Sequence, residues 1–202
     1  AILRRCLERD HVLQYGHEEL SRLANEVGRL ASIDPAIVEE IYLAAFTLMD
    51  NSEEKTDMGI SRILAMTSTR RQDFQMARYK LASEYNTFLN QSSIHALRAL
   101  IAAISVYPED RYSYWHAETS PEESFDFNGR QAHLKADRSE VWDNEGGYGN
   151  HEEPLQMLNK YRHYLEQIGN DEAKAAERSQ LIDLIVEENH AAALWRTLLK
   201  AA

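Results

Sequence analysis

Apolar residues recur at intervals of three and four along most of this chain, the spacing that gathers them on one side of an α-helix. Leu3, Cys6, Leu7 and Leu13 form a first stripe, and Gly16 follows where a left-handed helix stop is expected. Residues 17 to 32 carry a second stripe of Leu20, Leu23, Ala24, Val27, Leu30 and Ala31. A third helix should open with Asp34 as cap and Pro35 in the first helical position, where a missing N–H costs nothing. Its apolar side is Ile37, Val38, Ile41, Ala45 and Leu48.

The polar stretch "DNSEEKTDMGIS" then predicts a surface loop. Thr69 and Gln72 have the spacing of a capping box and start a fourth helix, which carries Phe74, Ala77, Leu81, Tyr85 and Phe88 to about residue 90. A fifth begins at Ser92 or Ser93, presents Ile94, Leu97, Leu100, Ile101 and Ile104, and should end at Pro108. The short connection between these two makes them antiparallel neighbours. Near the end of the chain, Leu155, Leu158, Tyr161, Leu165 and Ile168 line another helix that stops at Gly169. Leu181, Ile182, Ile185 and Val186 line the next, and Leu194, Trp195, Leu198 and Leu199 a last one after a break near Asn189.

Residues 108 to 150 depart from this periodicity. In "ESFDFNGRQAHLKAD", Phe125 and Phe127 alternate before Asn128-Gly129, and Ala132 and Leu134 alternate after it, which predicts a two-stranded hairpin with a tight turn. A glycine-rich loop follows it. Helices in succession fit either a closed bundle or an α-solenoid, and no literal repeat at a fixed period is visible. Both ends look unfinished, so the chain is expected to be a segment of a longer polypeptide. The expected fold is therefore all-α: an α-solenoid-like stack of antiparallel helix pairs forming one helical-repeat domain over residues 1 to 202, with a small β-hairpin inserted in the region of about 108 to 150.

Composition narrows the partners. With 22 basic and 33 acidic residues the net charge is −11, which repels nucleic acid and anionic lipid at long range. A single cysteine, Cys6, can form neither an internal disulfide nor a Cys-rich zinc site, and points to a reducing, cytoplasmic setting. No apolar run approaches the roughly 20 residues of a membrane span.

The chemistry-bearing motifs are missing. Neither a phosphate-loop nor a G-x-G-x-x-G signature occurs, H-E-x-x-H is absent, and G-x-S-x-G is absent. The two "HEE" stretches, at His17 and His151, are expected to be acidic first turns of helices. No catalytic, cofactor-binding or metal-ligating residue is assigned. A metal-dependent helical hydrolase is the alternative, its ion held by His116 and His133 with Asp126, Asp137 and Asp143.

Arg70 and Arg71 would occupy the first and second positions of the fourth helix, where a positive charge costs a few tenths to about 1 kcal/mol unless an anion is near. Acids of the "EEKTD" loop or Asp73 could supply it, and so could an acidic strip on a neighbouring domain or partner. Nucleic-acid binding through Arg70, Arg71 and Arg78 on one helix is a third reading, opposed by the overall acidity. Tyr112, Tyr114, Trp115 and Tyr148 cluster in the inserted region, where aromatic side chains either plug the insertion onto the helices or touch a partner. Trp142 fits an anchor for the same segment, whereas Tyr79, Tyr85, Tyr161 and Tyr164 are expected at the core or its edge with hydroxyls reaching water. Partner-binding residues are accordingly expected among Arg70, Arg71, Arg78, Tyr112, Tyr114, Trp115 and Tyr148.

Three stretches carry a resemblance: "DPAIVEEIYLAAF", "SRILAMTSTRRQDFQMARYKLASEY" with the "ALRALIAAI" helix after it, and "FDFNGRQAHLKADRSEVWD". Over about residues 34 to 199 the chain resembles the helical repeat region of large bacterial STAND-type NTPases like those of antiphage defence. The resemblance implies a non-catalytic sensor or protein-interaction scaffold, with the nucleotide-binding module elsewhere in the parent chain. It also implies that the partners are proteins, either other domains of the parent or a foreign protein ligand. No active-site residue is carried over.

Overall fold

The computed structural model describes residues 2–55, 57, 62–112, 122–135 and 153–201, and the side chains of these except 51–55, 62 and 107–112. Among them the chain is mostly helical. In order it forms α1 (Ile2–Cys6), α2 (Arg9–Ala24), α3 (Val27–Ile33), α4 (Pro35–Phe46), β1 (Asn51–Lys55), β2 (Arg62–Leu64), α5 (Ser68–Gln91), α6 (Ser93–Tyr112), β3 (Glu122–Phe127), β4 (Arg130–Lys135), α7 (Glu153–Gly169), a 3-10 turn (Glu172–Lys174), α8 (Ala175–Glu188) and α9 (Ala192–Ala201). No helix among the described residues is long and apolar enough to cross a membrane.

The stripes that predicted helices also decide how they pack. Helix α5 buries Phe74, Ala77, Leu81, Ala82, Tyr85, Phe88 and Leu89, and touches α2, α3, α4, α6 and α7. Helices two apart in the chain also meet: α4 packs on α6, α6 on α8, α5 on α7, and α7 on α9. Tyr42 of α4 lies against Phe88 and Tyr85, with ring centroids 5.4 and 6.0 Å away. Two of the central tyrosine hydroxyls find backbone partners instead of water, whereas the buried Tyr161 hydroxyl has no hydrogen-bond partner among the described residues. Tyr42 Oη donates to the Leu81 carbonyl at 2.6 Å, and Tyr85 Oη to the Ala96 carbonyl at 2.8 Å. Such bonds let a large ring be fully buried without stranding its polar end.

Several boundaries differ from the sequence expectation. Gly16 does not end a helix but sits inside α2, where a Cβ would lie 2.8 Å from Val12 Cγ1 and 3.4 Å from Phe74 of α5. The glycine is there for close packing of α2 on α5. The chain breaks instead before Arg9 and again at Asn25, whose N–H turns back to the Arg22 carbonyl. His17, Glu18 and Glu19 consequently lie in mid-helix, not in a first turn. Asp34 precedes α4 as expected, but its side chain makes no cap bond; it lies 3.7 Å from Arg4.

The stretch expected to be a loop contains β1, which pairs antiparallel with β2 just beyond it, Asn51 opposite Leu64 and Lys55 opposite Arg62. Asp50 anchors its base, since its Oδ1 accepts the Met66 N–H at 2.7 Å. Helix α5 starts earlier than predicted: the first helical bond runs from the Arg71 N–H to the Thr67 carbonyl, and the predicted Thr69 box is not formed. Helix α6 continues past Pro108 to Tyr112, so proline removes a bond near the helix end without ending the helix.

One side chain ties three helices together. Glu177, in the first turn of α8, accepts Ser93 Oγ from the start of α6 at 2.6 Å and Lys174 Nζ at 2.7 Å. The Tyr164 hydroxyl of α7 donates to the same carboxylate.

Candidate functional site

Two of the three arginines expected to meet a partner are turned into the fold. Arg71 Nε lies 3.2 Å from Asp50 Oδ2, and its Nη2 donates to the Met66 carbonyl at 3.2 Å. Asp50 thus supplies an anion to Arg71, and the side chains of Glu53 and Glu54 in the "EEKTD" loop lie outside those described. Arg78 donates to the Ala45 and Leu48 carbonyls at 2.6 and 3.3 Å, closing the C-terminal end of α4, and its guanidinium lies 5.1 Å from the Phe74 ring centre. Arg70 is exposed in the first turn of α5. Because α5 begins at Ser68, Arg70 and Arg71 hold its third and fourth positions rather than the first two.

Tyr112 ends α6, its side chain outside the described residues. Tyr114, Trp115, Tyr148, His116, Asp137, Trp142 and Asp143 all lie outside the described residues. Of the tyrosines placed at the core or its edge, Tyr85 and Tyr161 are fully buried and Tyr164 is buried, whereas Tyr79 is 49% exposed.

Tyr79 belongs to a strip that sequence reasoning did not single out. Gln72, Met76, Tyr79, Ser83, Asn86 and Asn90 are all exposed, at spacings of four and three along α5. They form one band over about 27 Å of helix, at 1.5 Å per residue. None carries a charge, in a chain where 27% of residues do. Lys160 of α7 borders the band, but its ammonium is turned onto the Ala82 and Ser83 carbonyls at 2.6 and 2.8 Å. Burial pushes its pKa down, against the pull of Glu84. The flanking helices α2 and α7 hold α5 on either side, so the band sits on a rigid element.

The hairpin forms as its sequence predicts. Asn128 and Gly129 both have positive φ, 55° and 80°, as a two-residue turn of the primed type requires, and Phe127 pairs with Arg130. Asp126 Oδ1 accepts the Gly129 N–H at 3.1 Å, so this aspartate stabilises the turn. The apolar face, with Phe125, Phe127, Ala132 and Leu134, is held by Trp195 of α9: its ring lies 5.1 Å from Phe125 and 5.5 Å from Phe127, and its Nε1–H donates to the His133 carbonyl at 2.9 Å. Arg130 reaches Asp183 and Glu187 of α8, the latter at 2.8 Å. The α8–α9 connection then adds a third segment beside β4: the Lys135 N–H donates to the His190 carbonyl at 2.7 Å, and Lys135 bridges Ala191 in parallel.

This third segment brings His190 to Glu122 and His133. Glu122 Oε1 is 2.5 Å from His190 Nδ1 and 3.3 Å from His133 Nδ1, and the two imidazoles stack with centroids 5.2 Å apart. Of the residues expected to gather a metal, His133 alone among those described lies in this group, and Asp126 does not. Cys6, His11 and Glu19 form a second group of possible ligands among the described residues, with His11 Nε2 2.8 Å from Glu19 Oε2. Between α1, α2 and α4 there is an open groove of about 340 Å³ lined by Arg4, Glu8, Arg9 and Glu40 among others, in which Arg4 and Glu40 pair with each other at 2.8 Å.

Compared with protein-family models, with curated proteins and with solved structures, the chain matches none.

Proposed function

We propose that this chain is a non-catalytic protein-interaction scaffold, built as an α-solenoid-like stack of helix pairs, that serves as a sensor segment of a larger bacterial intracellular NTPase of the STAND type. The alternating contacts support the stack: α4, α6 and α8 follow one another in one row, and α5, α7 and α9 in another. A stack of this kind offers long helix faces to a partner.

The observation that carries the reading is the uncharged band on α5. Protein-binding patches are depleted of charge at their centre and enriched in tyrosine and methionine. Met76 and Tyr79, 53% and 49% exposed, sit in the middle of a band flanked by amide and hydroxyl side chains. A protein partner with a neutral, shape-matched face fits it; an acidic or basic partner does not. Arg70, beyond the start of the band, is left to contact acidic groups at its rim.

Photo-crosslinking tests this. A photoreactive phenylalanine at position 76 or 79 of the full parent polypeptide should give a crosslink to one protein or one domain of the parent. The same group at Gln180, exposed on α8, should not. Equal crosslinking from all three positions would reject the band as the contact surface.

A further inference from the structure

We propose that Glu122, His133 and His190 form a binding site for a divalent transition-metal ion of the zinc class, and that the ion fastens the β3–β4 hairpin to the α8–α9 connection. This is independent of the protein-binding reading. Two imidazole nitrogens and a carboxylate oxygen, all within 4.8 Å of one another, are a donor set suited to zinc. Tetrahedral zinc with bonds of about 2.0 to 2.1 Å places its ligands about 3.3 Å apart. The His133 Nδ1 to Glu122 Oε1 separation is 3.3 Å. His190 Nδ1, at 2.5 Å from the same oxygen, must move outward by about 0.8 Å for that geometry, which a half-exposed side chain can do.

The backbone under each ligand is fixed by bonds that do not involve the ligands' side chains. Glu122 is in register with Lys135, the His133 carbonyl is held by Trp195, and the His190 carbonyl is held by the Lys135 N–H. Asn189 secures the connection on the other side, bonding both the N–H and the carbonyl of Ala191 at 3.0 Å. The two strands of one hairpin and a connection far along the chain are therefore presented together before any ion binds. The three side chains leave the fourth position facing solvent, since Glu122 and His190 are exposed.

Calorimetric titration of chelator-stripped protein with zinc chloride alone tests the site. The expected result is saturable binding of one ion with a Kd of 10 μM or tighter, weakened at least tenfold by His190→Ala and, independently, by Glu122→Gln. His11→Ala, in the other ligand group, should leave that binding unchanged. Circular dichroism confirms that each variant is folded, and the two variants at the site give separate readings if one is not. Absence of saturable binding, binding unaffected by both site variants, or binding lost with His11→Ala would overturn the proposal.

Discussion

Replacing Glu177 by Gln removes one negative charge from the point where α6, α7 and α8 meet. Burial of this carboxyl works against its ionisation, but hydrogen bonds from Lys174, Ser93 and Tyr164 and the Lys174 charge outweigh it and bring its pKa down from 4.5 to about 2. The same contact, together with burial as the larger cause, pushes the Tyr164 hydroxyl up to about 12, so it remains a donor throughout. A carboxylate with a depressed folded-state pKa stabilises the fold above its unfolded value, and that stabilisation is lost as the pH falls through the folded value. The window here runs from 4.5 down to about 2. Full conversion of this shift gives about 3 kcal/mol at neutral pH, and residual solvent screening trims it to about 2 to 3. At pH 3 less than half of the titrating part remains. Urea denaturation of both proteins, followed by circular dichroism at pH 7 and pH 3, measures it. The gap between wild type and Glu177→Gln should be about 2 kcal/mol or more at pH 7 and should shrink by at least about 1 kcal/mol at pH 3. A gap that is the same at both pH values would refute the reasoning, because a purely steric or hydrogen-bond loss does not titrate.

Gly16→Ala gains about 1 kcal/mol of helix propensity but drives a methyl to 2.8 Å from Val12 Cγ1 and against Leu20 and Phe74. Overpacking of this kind costs about 1 to 3 kcal/mol, so a net loss of about 1 kcal/mol in urea denaturation is expected, and a gain would show that α2 can move off α5. In a double-mutant cycle, Arg71→Ala and Asp50→Ala should couple by about 0.5 to 1 kcal/mol, with Asp50→Ala the costlier single change because it also strands the Met66 N–H. Additive losses would show that the pair is worth nothing to the fold.

The helices were legible because their apolar stripes are long. The β3–β4 hairpin was legible because Asn128-Gly129 needs no tertiary context to turn a chain. Gly16 was misread for the opposite reason: glycine marks both a helix end and a close helix contact, and only the position of Phe74, far along the chain, tells them apart. The β1–β2 pair was hidden since residues 51 to 64 show no apolar alternation, and Asp50, not a hydrophobic face, fixes its base. The uncharged band on α5 was present in the sequence as a three-four spacing, but which side of α5 its neighbours cover could not be read locally. His133 stood out as a possible ligand, whereas His190 and Glu122 did not, because a connection after α8 must first fold back beside β4. Trp195 looked like one more member of an apolar stripe, and its grip on the hairpin became visible only with both elements in place.

The neutral band of α5 is the surface proposed to meet a protein partner. Its most direct test is the affinity of the crosslinked partner, purified, for the wild-type chain and for the double variant Met76→Lys with Tyr79→Lys. The expected result is at least a tenfold rise in Kd with unchanged thermal stability, and no change for Gln180→Lys. Equal affinity for the wild type and the double variant would contradict it.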